Sequence, residues 1–229
     1  MSNYELFYLP FHGRSLTSKI LLELSGVNWK LTHPEWPKEK PNMPYGRLPV
    51  LVETDIDGTK FTLTESRAIE EYLADKFGFY PKDKKQQATC LQYVNQIFDV
   101  MESYVDIVIY TKRTALVVGA EAEGLTKKPE ECEDREQFFI AKHLENINKT
   151  LTSTIAYFLE KHEHILSNSK SGYYIGDSIT YADIALFSVF TCLKLRGLET
   201  QFSSIKFPHV MKLIEILGEN KSITRVVNS

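Results

Sequence analysis

The sequence predicts an α/β unit over residues 1–80, a linker over residues 81–85 and an all-α unit over residues 86–229. Three observations support this division. Strand-like and helix-like patterns alternate through the first 80 residues, whereas apolar residues recur only at helical spacing after residue 86. Between them, Pro81 is followed by a charged run over residues 82–85, a composition typical of a connection between domains.

The first unit opens with a predicted strand, helix and second strand. Residues 4–8 form a short, largely apolar stretch ending in Tyr8, and apolar side chains share one face of a predicted helix from Arg14 to Ser25. Gly26 provides a stop for this helix, because glycine readily adopts the left-handed conformation that ends helices. Residues 27–32 then alternate apolar and polar side chains, which predicts the second strand.

A proline-rich loop separates these elements from a predicted hairpin and a second helix. The loop leads into RLPVLVETD, and Asp57-Gly58 then forms the turn of the hairpin. Residues 65–77 carry apolar side chains on one helical stripe, with Gly78 as the stop. The first unit therefore has the order βαβ, loop, ββα.

The second unit contains no convincing strand. Apolar residues recur at helical spacing over residues 91–108 and 140–158, which predicts a bundle of helices. Thr180 and Asp183 have the spacing of a capping box, so their polar side chains indicate a helix start rather than a catalytic site.

Composition excludes several functional classes. A net charge of −3 gives no field for binding a nucleic acid. The three cysteines lie far apart without a CxxC pair and the histidines show no ligand spacing, so we predict neither a disulfide framework nor a metal site. No apolar run resembles a signal peptide or spans a bilayer, which predicts a cytoplasmic protein without a membrane partner.

Four motifs, taken in order, resemble those of one family. They are YLPFHGR, EWPKEKPNMPYGRLPVL, LTESRAIEEYLADKFG and GDSITYADIALF. Over essentially its whole length the chain resembles cytosolic glutathione S-transferases of the tyrosine type, most closely the sigma class. The resemblance implies a thioredoxin-like glutathione-binding domain followed by an all-α domain. It also implies glutathione as co-substrate, with no prosthetic group.

The resemblance assigns catalysis to Tyr8 and Arg14. A thiol with its ordinary pKa of about 8.5 is mostly protonated at neutral pH, so the site must favour the thiolate. A hydroxyl that donates a hydrogen bond to sulfur does this, and Tyr8 matches the family position. Arg14 would add positive potential. Ser15 is the alternative hydroxyl, as in serine-type classes, and Tyr8 packed as an ordinary core residue is the non-functional alternative.

The resemblance also implies a set of residues that bind glutathione. Leu48, before a cis Pro49, would pair its backbone with the cysteinyl part. Ser66 and Glu65 begin a helix whose N-terminal dipole attracts the γ-glutamyl carboxylate, although the sigma pattern has glutamine in place of Glu65. The full set is Tyr8, Arg14, Trp36, Lys40, Arg47, Leu48, Pro49, Glu65, Ser66 and Asp99, with Trp36 and Lys40 on the glycyl carboxylate.

Two residues of the family pattern imply a homodimer. Asp99, on the first helix of the bundle, would reach the γ-glutamyl ammonium bound to the partner subunit. Tyr45 would insert into the partner as an aromatic key. The alternatives are a solvated helix carboxylate for Asp99 and a loop aromatic that covers its own domain for Tyr45.

The second substrate is expected between the first loop and the first helix of the bundle. Its predicted pocket comprises Phe11, His12, Met101, Tyr104, Val105 and Val108. An apolar pocket of this kind suits a hydrophobic electrophile, which the thiolate would attack at carbon or at a peroxide oxygen. The alternatives are a glutathione-dependent isomerase of the prostaglandin type and a non-catalytic relative of the lens-crystallin type.

Overall fold

The computed structural model describes residues 2–118, 135–195, 199 and 202–229. Its first half has four strands and two helices, and its second half is helical. The strands are β1 (Asn3–Phe7), β2 (Asn28–Thr32), β3 (Val50–Thr54) and β4 (Lys60–Thr64). The helices are α1 (Leu16–Ser25), α2 (Ser66–Phe77), α3 (Lys84–Val118), α4 (Arg135–Ser167), α5 (Tyr181–Lys194), α6 (Pro208–Gly218) and α7 (Lys221–Val227).

The strands form one mixed sheet in the order β2-β1-β3-β4. β1 runs parallel to β2 and antiparallel to β3, and β3 continues into β4 as the predicted hairpin. The fully buried Leu6 of β1 lies opposite Leu31 of β2 and Leu51 of β3, so an apolar stripe crosses the sheet. The predicted thioredoxin-like α/β domain is confirmed, as is the all-α second domain.

The boundaries of the first elements explain how the chain leaves β1. Helix α1 starts later than the predicted Arg14, because residues 13–15 form a 3₁₀ turn. Both the N–H and the hydroxyl of Ser15 donate to the carbonyl of His12, at 3.0 and 2.7 Å, which is the i to i+3 bonding of that tighter helix. Gly26 ends α1 in the left-handed conformation, as predicted.

The helical half is built around α5. Nearly all of its side chains are buried, and it packs against α3 and α6. Thr180 and Asp183 form the predicted cap: the Thr180 N–H and hydroxyl both donate to the Asp183 carboxylate, at 2.7 and 2.6 Å. The N–H of Tyr174 donates to its other oxygen at 2.9 Å, so this carboxyl also anchors the preceding loop.

The two halves are joined by hydrogen bonds and by the end of the chain. The N–H of Tyr181 donates to the Phe79 carbonyl at 2.8 Å, and its hydroxyl donates to Glu70 of α2 at 2.8 Å. Helix α7 returns to pack on α1, where Arg225 donates to Glu23 at 2.5 Å. The loop after β1 also meets the end of the chain, because the His12 ring contacts the Val227 carbonyl at 3.0 Å.

Candidate functional site

Tyr8 lies immediately after β1, at the edge of the sheet where the first loop begins. Its N–H donates to the Thr32 carbonyl at 3.1 Å, which continues the pairing with β2 by one residue. The side chain is 6% exposed, and the Phe11 ring packs edge-on against its ring at a centroid distance of 5.4 Å. Sheet pairing and ring packing together fix the direction of the Tyr8 hydroxyl.

The Tyr8 hydroxyl accepts a hydrogen bond of 3.0 Å from the main-chain N–H of Arg14. A hydroxyl can accept and donate at once, and accepting here leaves its own hydrogen for donation. Gly13 allows the turn to approach the Tyr8 hydroxyl, because its φ is +44° and a Cβ there would lie 2.7 Å from the hydroxyl oxygen. The turn thus holds a buried hydroxyl group in a fixed position.

Ser15, the alternative hydroxyl, occupies a different environment. Its side chain is fully buried, and its hydroxyl donates to the carbonyl of His12. A serine that uses its hydrogen on the backbone of its own turn is a poor donor to a substrate. The geometry therefore favours Tyr8 over Ser15.

Arg14 also contacts the second half of the chain through its side chain. Its two terminal nitrogens donate to the two carboxylate oxygens of Glu102 on α3, each at 2.5 Å. This hydrogen bond, with the charge of Arg14, holds the pKa of Glu102 below its usual range despite partial burial. Arg67 of α2 adds a more distant contact of 3.9 Å to Glu102. The positive charge expected of Arg14 is therefore balanced by a carboxylate that the sequence reasoning missed.

Ser66 and Glu65 stand at the start of α2. Ser66 is buried as the first helical residue, and Glu65 precedes it with a left-handed φ of 68° and a ψ of 117°. Non-glycine residues adopt this conformation rarely and at a cost of about 1–3 kcal/mol, which is found most often at functional sites. The N–H groups of the first helical turn have no partners within the helix, so this end can bind an anion.

The loop before β3 brings several predicted glutathione residues together. The Lys40 ammonium lies 6.0 Å from the Trp36 ring centroid, and a Cβ at Gly46 would lie 3.4 Å from the Lys40 side chain. Arg47 is exposed and extended, and the peptide bond between Leu48 and Pro49 is cis. An indole and two cations thus lie on one loop beside the start of β3.

Tyr45, in the same loop, projects into solvent. Its side chain is 83% exposed, and its φ is 55°. Ile56 and Ile205 are still more exposed, at 85% and 91%, so the exposure of Tyr45 makes its ring accessible without marking an interface by itself.

Asp99 lies on the face of α3 that points toward the start of α2. Asn95, one turn earlier, accepts a hydrogen bond of 3.1 Å from Arg67, and the Arg67 guanidinium lies 4.9 Å from the Phe98 ring centroid. Asp99 is exposed. Helical spacing places it between Asn95 and Glu102, a pattern that could have pointed to Glu102 from the sequence.

The structure brings only some of the residues predicted for the second-substrate pocket to one place. Phe11 is 48% exposed beside Tyr8, whereas Met101 is 2% exposed and belongs to the core. His12 is half-buried, and its ring lies between the Val227 carbonyl and Lys19. The side chains of Tyr104, Val105 and Val108 lie outside the described residues.

Glu70 is a buried carboxyl that the sequence reasoning also missed. It lies on α2 and is 1% exposed. Burial raises its pKa to about 8, although the hydrogen bond from Tyr181 and the charges of Arg67 and Arg14 act in the opposite direction. Among the described residues, no donor reaches its second oxygen, Oε1.

Neither a metal centre nor a membrane span is found in the part of the chain that the structure describes. No cluster of three histidine, cysteine or acidic side chains there could hold a metal ion. Likewise, none of the described helices is long and apolar enough to cross a bilayer.

Comparison with known proteins identifies the family. The fold and the tyrosine at the end of β1 define a thioredoxin-like protein with an added all-α domain. Residues 2–75 match the model described as the glutathione S-transferase N-terminal domain, and residues 133–229 match the corresponding C-terminal domain. The chain belongs to the glutathione S-transferase family, whose enzymes use glutathione as a co-substrate.

Individual relatives agree with this assignment. Glutathione S-transferase 4 of Caenorhabditis elegans is 30% identical over 236 residues, which cover 100% of this chain and 95% of the relative. The class-mu 28 kDa isozyme of Schistosoma japonicum is 26% identical over 91% of this chain and 88% of its own. The solved structure of monomeric Na-GST-3 from the hookworm Necator americanus is 25% identical, with a TM-score of 0.64 over 99% of this chain and 96% of that one.

Proposed function

We propose that this enzyme conjugates glutathione to hydrophobic electrophiles, with Tyr8 as the group that activates the thiol. The observation that carries the proposal is the buried Tyr8 hydroxyl, held by the Arg14 N–H at 3.0 Å. Donation from this hydroxyl to the sulfur of glutathione favours the thiolate, which is the nucleophile. Binding both substrates side by side lowers the barrier further.

The tripeptide would lie along the edge formed by the loop, β3 and α2. The γ-glutamyl carboxylate would accept from Ser66 and the N-terminus of α2, with Glu65 near its ammonium. The Leu48 backbone, before Pro49, would pair with the cysteinyl part. At the other end, Trp36, Lys40 and Arg47 would hold the glycyl carboxylate, and the exposed indole and cations of this loop support that direction.

We further propose a cytoplasmic detoxifying homodimer of the sigma class. In it, Tyr45 would insert into the partner and Asp99 would face the partner's bound glutathione. The Tyr45 ring is 83% exposed and is therefore accessible to a partner subunit. Because the hookworm relative is described as monomeric, the subunit number needs its own measurement. Light scattering during size-exclusion chromatography measures the subunit number of wild type and of Tyr45→Ala. A wild-type dimer that dissociates in the variant supports the insertion of Tyr45 into the partner subunit.

The conjugation proposal is tested with 1-chloro-2,4-dinitrobenzene and glutathione. We expect Tyr8→Phe to lower kcat/KM by about 10- to 100-fold, the effect of one donor to a charged sulfur. Ser15→Ala is the matched control and should change kcat/KM little. If Ser15→Ala loses activity while Tyr8→Phe keeps it, the assignment of Tyr8 is wrong.

The same assay separates the alternatives. The chain is also 26% identical to S-crystallin SL20-1 of Nototodarus sloanii, over 98% of this chain and 95% of that one. A non-catalytic relative would bind a glutathione resin and conjugate no electrophile tried. Turnover of a cyclic endoperoxide or a hydroperoxide in the absence of conjugation would instead favour an isomerase or a peroxidase.

A further inference from the structure

One peptide unit links Tyr8 to the helical half of the chain. The peptide bond between Gly13 and Arg14 is trans, so its carbonyl and its N–H point in opposite directions. The N–H donates to the Tyr8 hydroxyl at 3.0 Å. The carbonyl oxygen lies 3.8 Å from Sγ of Cys192, which is 179 residues away on α5. A single rigid unit therefore has a core thiol at one end and the Tyr8 hydroxyl at the other.

The Cys192 thiol acts as the donor in this contact. Burial raises its pKa to about 12, so the sulfur keeps its hydrogen at neutral pH. Lys19 of α1 is a charged group near the thiol, and its charge favours the thiolate without outweighing burial. A thiol is a weak donor and a carbonyl oxygen is an acceptor, so the hydrogen bond runs from Cys192 to Gly13.

The two partners differ in how firmly they are held. Cys192 is 1% exposed on α5, a helix whose start is fixed by the cap between Thr180 and Asp183. Gly13 is also buried, and a carbonyl removed from water is stabilised by a donor that reaches it. The backbone of a glycine, however, has more freedom to rotate than that of any other residue. The thiol of a rigid helix can therefore fix the orientation of a peptide that glycine alone would leave free.

The contacts at the two ends of this peptide also reinforce each other. Hydrogen bonds that follow one another in a chain polarise their members, and each bond becomes stronger. Donation from Cys192 to the Gly13 carbonyl makes the Arg14 N–H a better donor. Donation from that N–H to the Tyr8 oxygen makes the Tyr8 hydroxyl, in turn, a better donor to a sulfur anion.

We propose that Cys192 is a positioning residue for Tyr8, and that its thiol orients and polarises the Gly13–Arg14 peptide that holds the Tyr8 hydroxyl. The inference rests on the proposed role of Tyr8 in activating glutathione. Cys192 acts through the peptide and not by contact with the substrate. Loss of its hydrogen bond should let the peptide rotate, which weakens the hold on Tyr8 and lowers the thiolate fraction of bound glutathione.

The test titrates the thiol of bound glutathione by the ultraviolet absorbance of its thiolate. Cys192→Ala removes the donor, and Cys192→Val removes it while keeping most of the volume of the side chain. Both variants should raise the pKa of the bound thiol by about 0.3–1, the effect of losing one weak hydrogen bond. Cys192→Val also keeps the test available if the cavity left by alanine prevents folding.

Cys90→Ala is the matched control. Cys90 of α3 is 0% exposed, and burial raises the pKa of its thiol to about 12 as well. Its thiol lies against the start of α5, beside Thr180 and Ala182. Cys90→Ala should therefore leave the pKa of bound glutathione at the wild-type value. An equal rise in Cys90→Ala, or a wild-type pKa in Cys192→Val, would overturn the proposal, because general loosening or lost volume would then explain the result.

A second readout needs no glutathione. Hydrogen–deuterium exchange of the Arg14 amide, followed by nuclear magnetic resonance, reports on its hydrogen bond to Tyr8. Exchange should be faster in Cys192→Val than in wild type and Cys90→Ala by about threefold or more, since a weakened hydrogen bond opens more often. Unchanged exchange would contradict the proposal.

The two readouts separate this inference from the proposed function. If wild type neither lowers the pKa of bound glutathione nor conjugates an electrophile, the proposed function fails, and exchange of the Arg14 amide still shows whether Cys192 holds the peptide. If wild type is active but the Cys192 variants keep its thiol pKa, the role of Cys192 fails alone.

Discussion

The main-chain N–H of Arg14 donates a 3.0 Å hydrogen bond to the hydroxyl oxygen of Tyr8. The contact is made by the backbone of a 3₁₀ turn, while the Arg14 side chain reaches away to Glu102. The position of the Tyr8 hydroxyl thus depends on the path of the chain through Gly13. A change in the backbone path at Gly13 should therefore alter catalysis without any change to Tyr8 itself.

Gly13→Ala should lower kcat/KM for conjugation by about 10- to 100-fold, since small displacements of a catalytic group have effects of this size. The added Cβ would lie 2.7 Å from the Tyr8 oxygen, and the residue would keep a φ of +44° that alanine disfavours. Steady-state kinetics with 1-chloro-2,4-dinitrobenzene measures the effect. The loss of kcat/KM should be larger than the fraction of unfolded protein at the assay temperature can explain.

Gly26→Ala is the matched control. Gly26 also has a positive φ, of +69°, but a Cβ there would meet nothing within 4 Å. Its replacement should lower the free energy of unfolding by about 1–2 kcal/mol through backbone strain, with kcat/KM unchanged. If both variants lost activity equally, stability rather than the position of Tyr8 would explain the result for Gly13.

Glu102→Gln should lower kcat/KM by about 3- to 10-fold. The amide forms a weaker, neutral hydrogen bond with Arg14, so the Arg14 side chain is held less firmly, and because the pair is part-exposed the effect should be modest. Since Arg14 holds the pKa of Glu102 low, the loss should be constant from pH 6 to pH 8. Glu215→Gln, on the exposed side of α6, is the control. A loss confined to pH below 5 would contradict this role for Glu102.

Much of the fold could be predicted because its signals are local. The stripe of apolar side chains on α1, the stops at Gly26 and Gly78 and the Asp57-Gly58 turn each act over a few residues. The boundary at the start of α1 was wrong by two residues, because the Ser15 hydroxyl and N–H both bond to His12. These two hydrogen bonds cannot be predicted from the spacing of apolar residues.

The site was predictable where a motif is continuous and not where partners come from distant elements. Tyr8, Arg14 and Ser66 lie within short motifs at the ends of secondary structure. Glu102 is 88 residues from Arg14, and Glu70 is 111 residues from Tyr181. These pairings depend on how the second half packs against α2, which no local pattern encodes.

Glu53→Gln should destabilise the protein at pH 7 by about 2–3 kcal/mol. Burial alone raises the pKa of Glu53, but hydrogen bonds from Lys76, Tyr72 and Tyr4 outweigh it and leave the pKa lowered. An acid with a lowered pKa stabilises the fold above its unfolded pKa, and this contribution is lost as the pH falls.

Urea unfolding followed by circular dichroism measures this effect of Glu53. The difference in the free energy of unfolding between wild type and Glu53→Gln should become smaller as the pH falls from 7 to 3.5. Asp75→Asn, at an exposed position of α2, is the control for charge removal. If the difference in the free energy of unfolding does not change with pH, the substitution destabilises the fold through the geometry of the amide and not through the loss of charge.

Glu70→Gln should have the opposite pH dependence, although Glu70 is also a buried glutamate. Burial raises its folded pKa to about 8, whereas its unfolded value is about 4.3. Between these values the native state keeps a proton that the unfolded state has released, so the stability of wild type falls as the pH rises from 6.5 to 8. Gln carries no ionisable group, so the variant should lose less stability over the same interval and become the more stable protein at pH 8.

Glu71→Gln, its exposed neighbour on α2, should retain the wild-type slope. If Glu70→Gln kept that slope as well, Glu70 would already be ionised in the fold, and the positive charges of Arg14 and Arg67 would then dominate over burial.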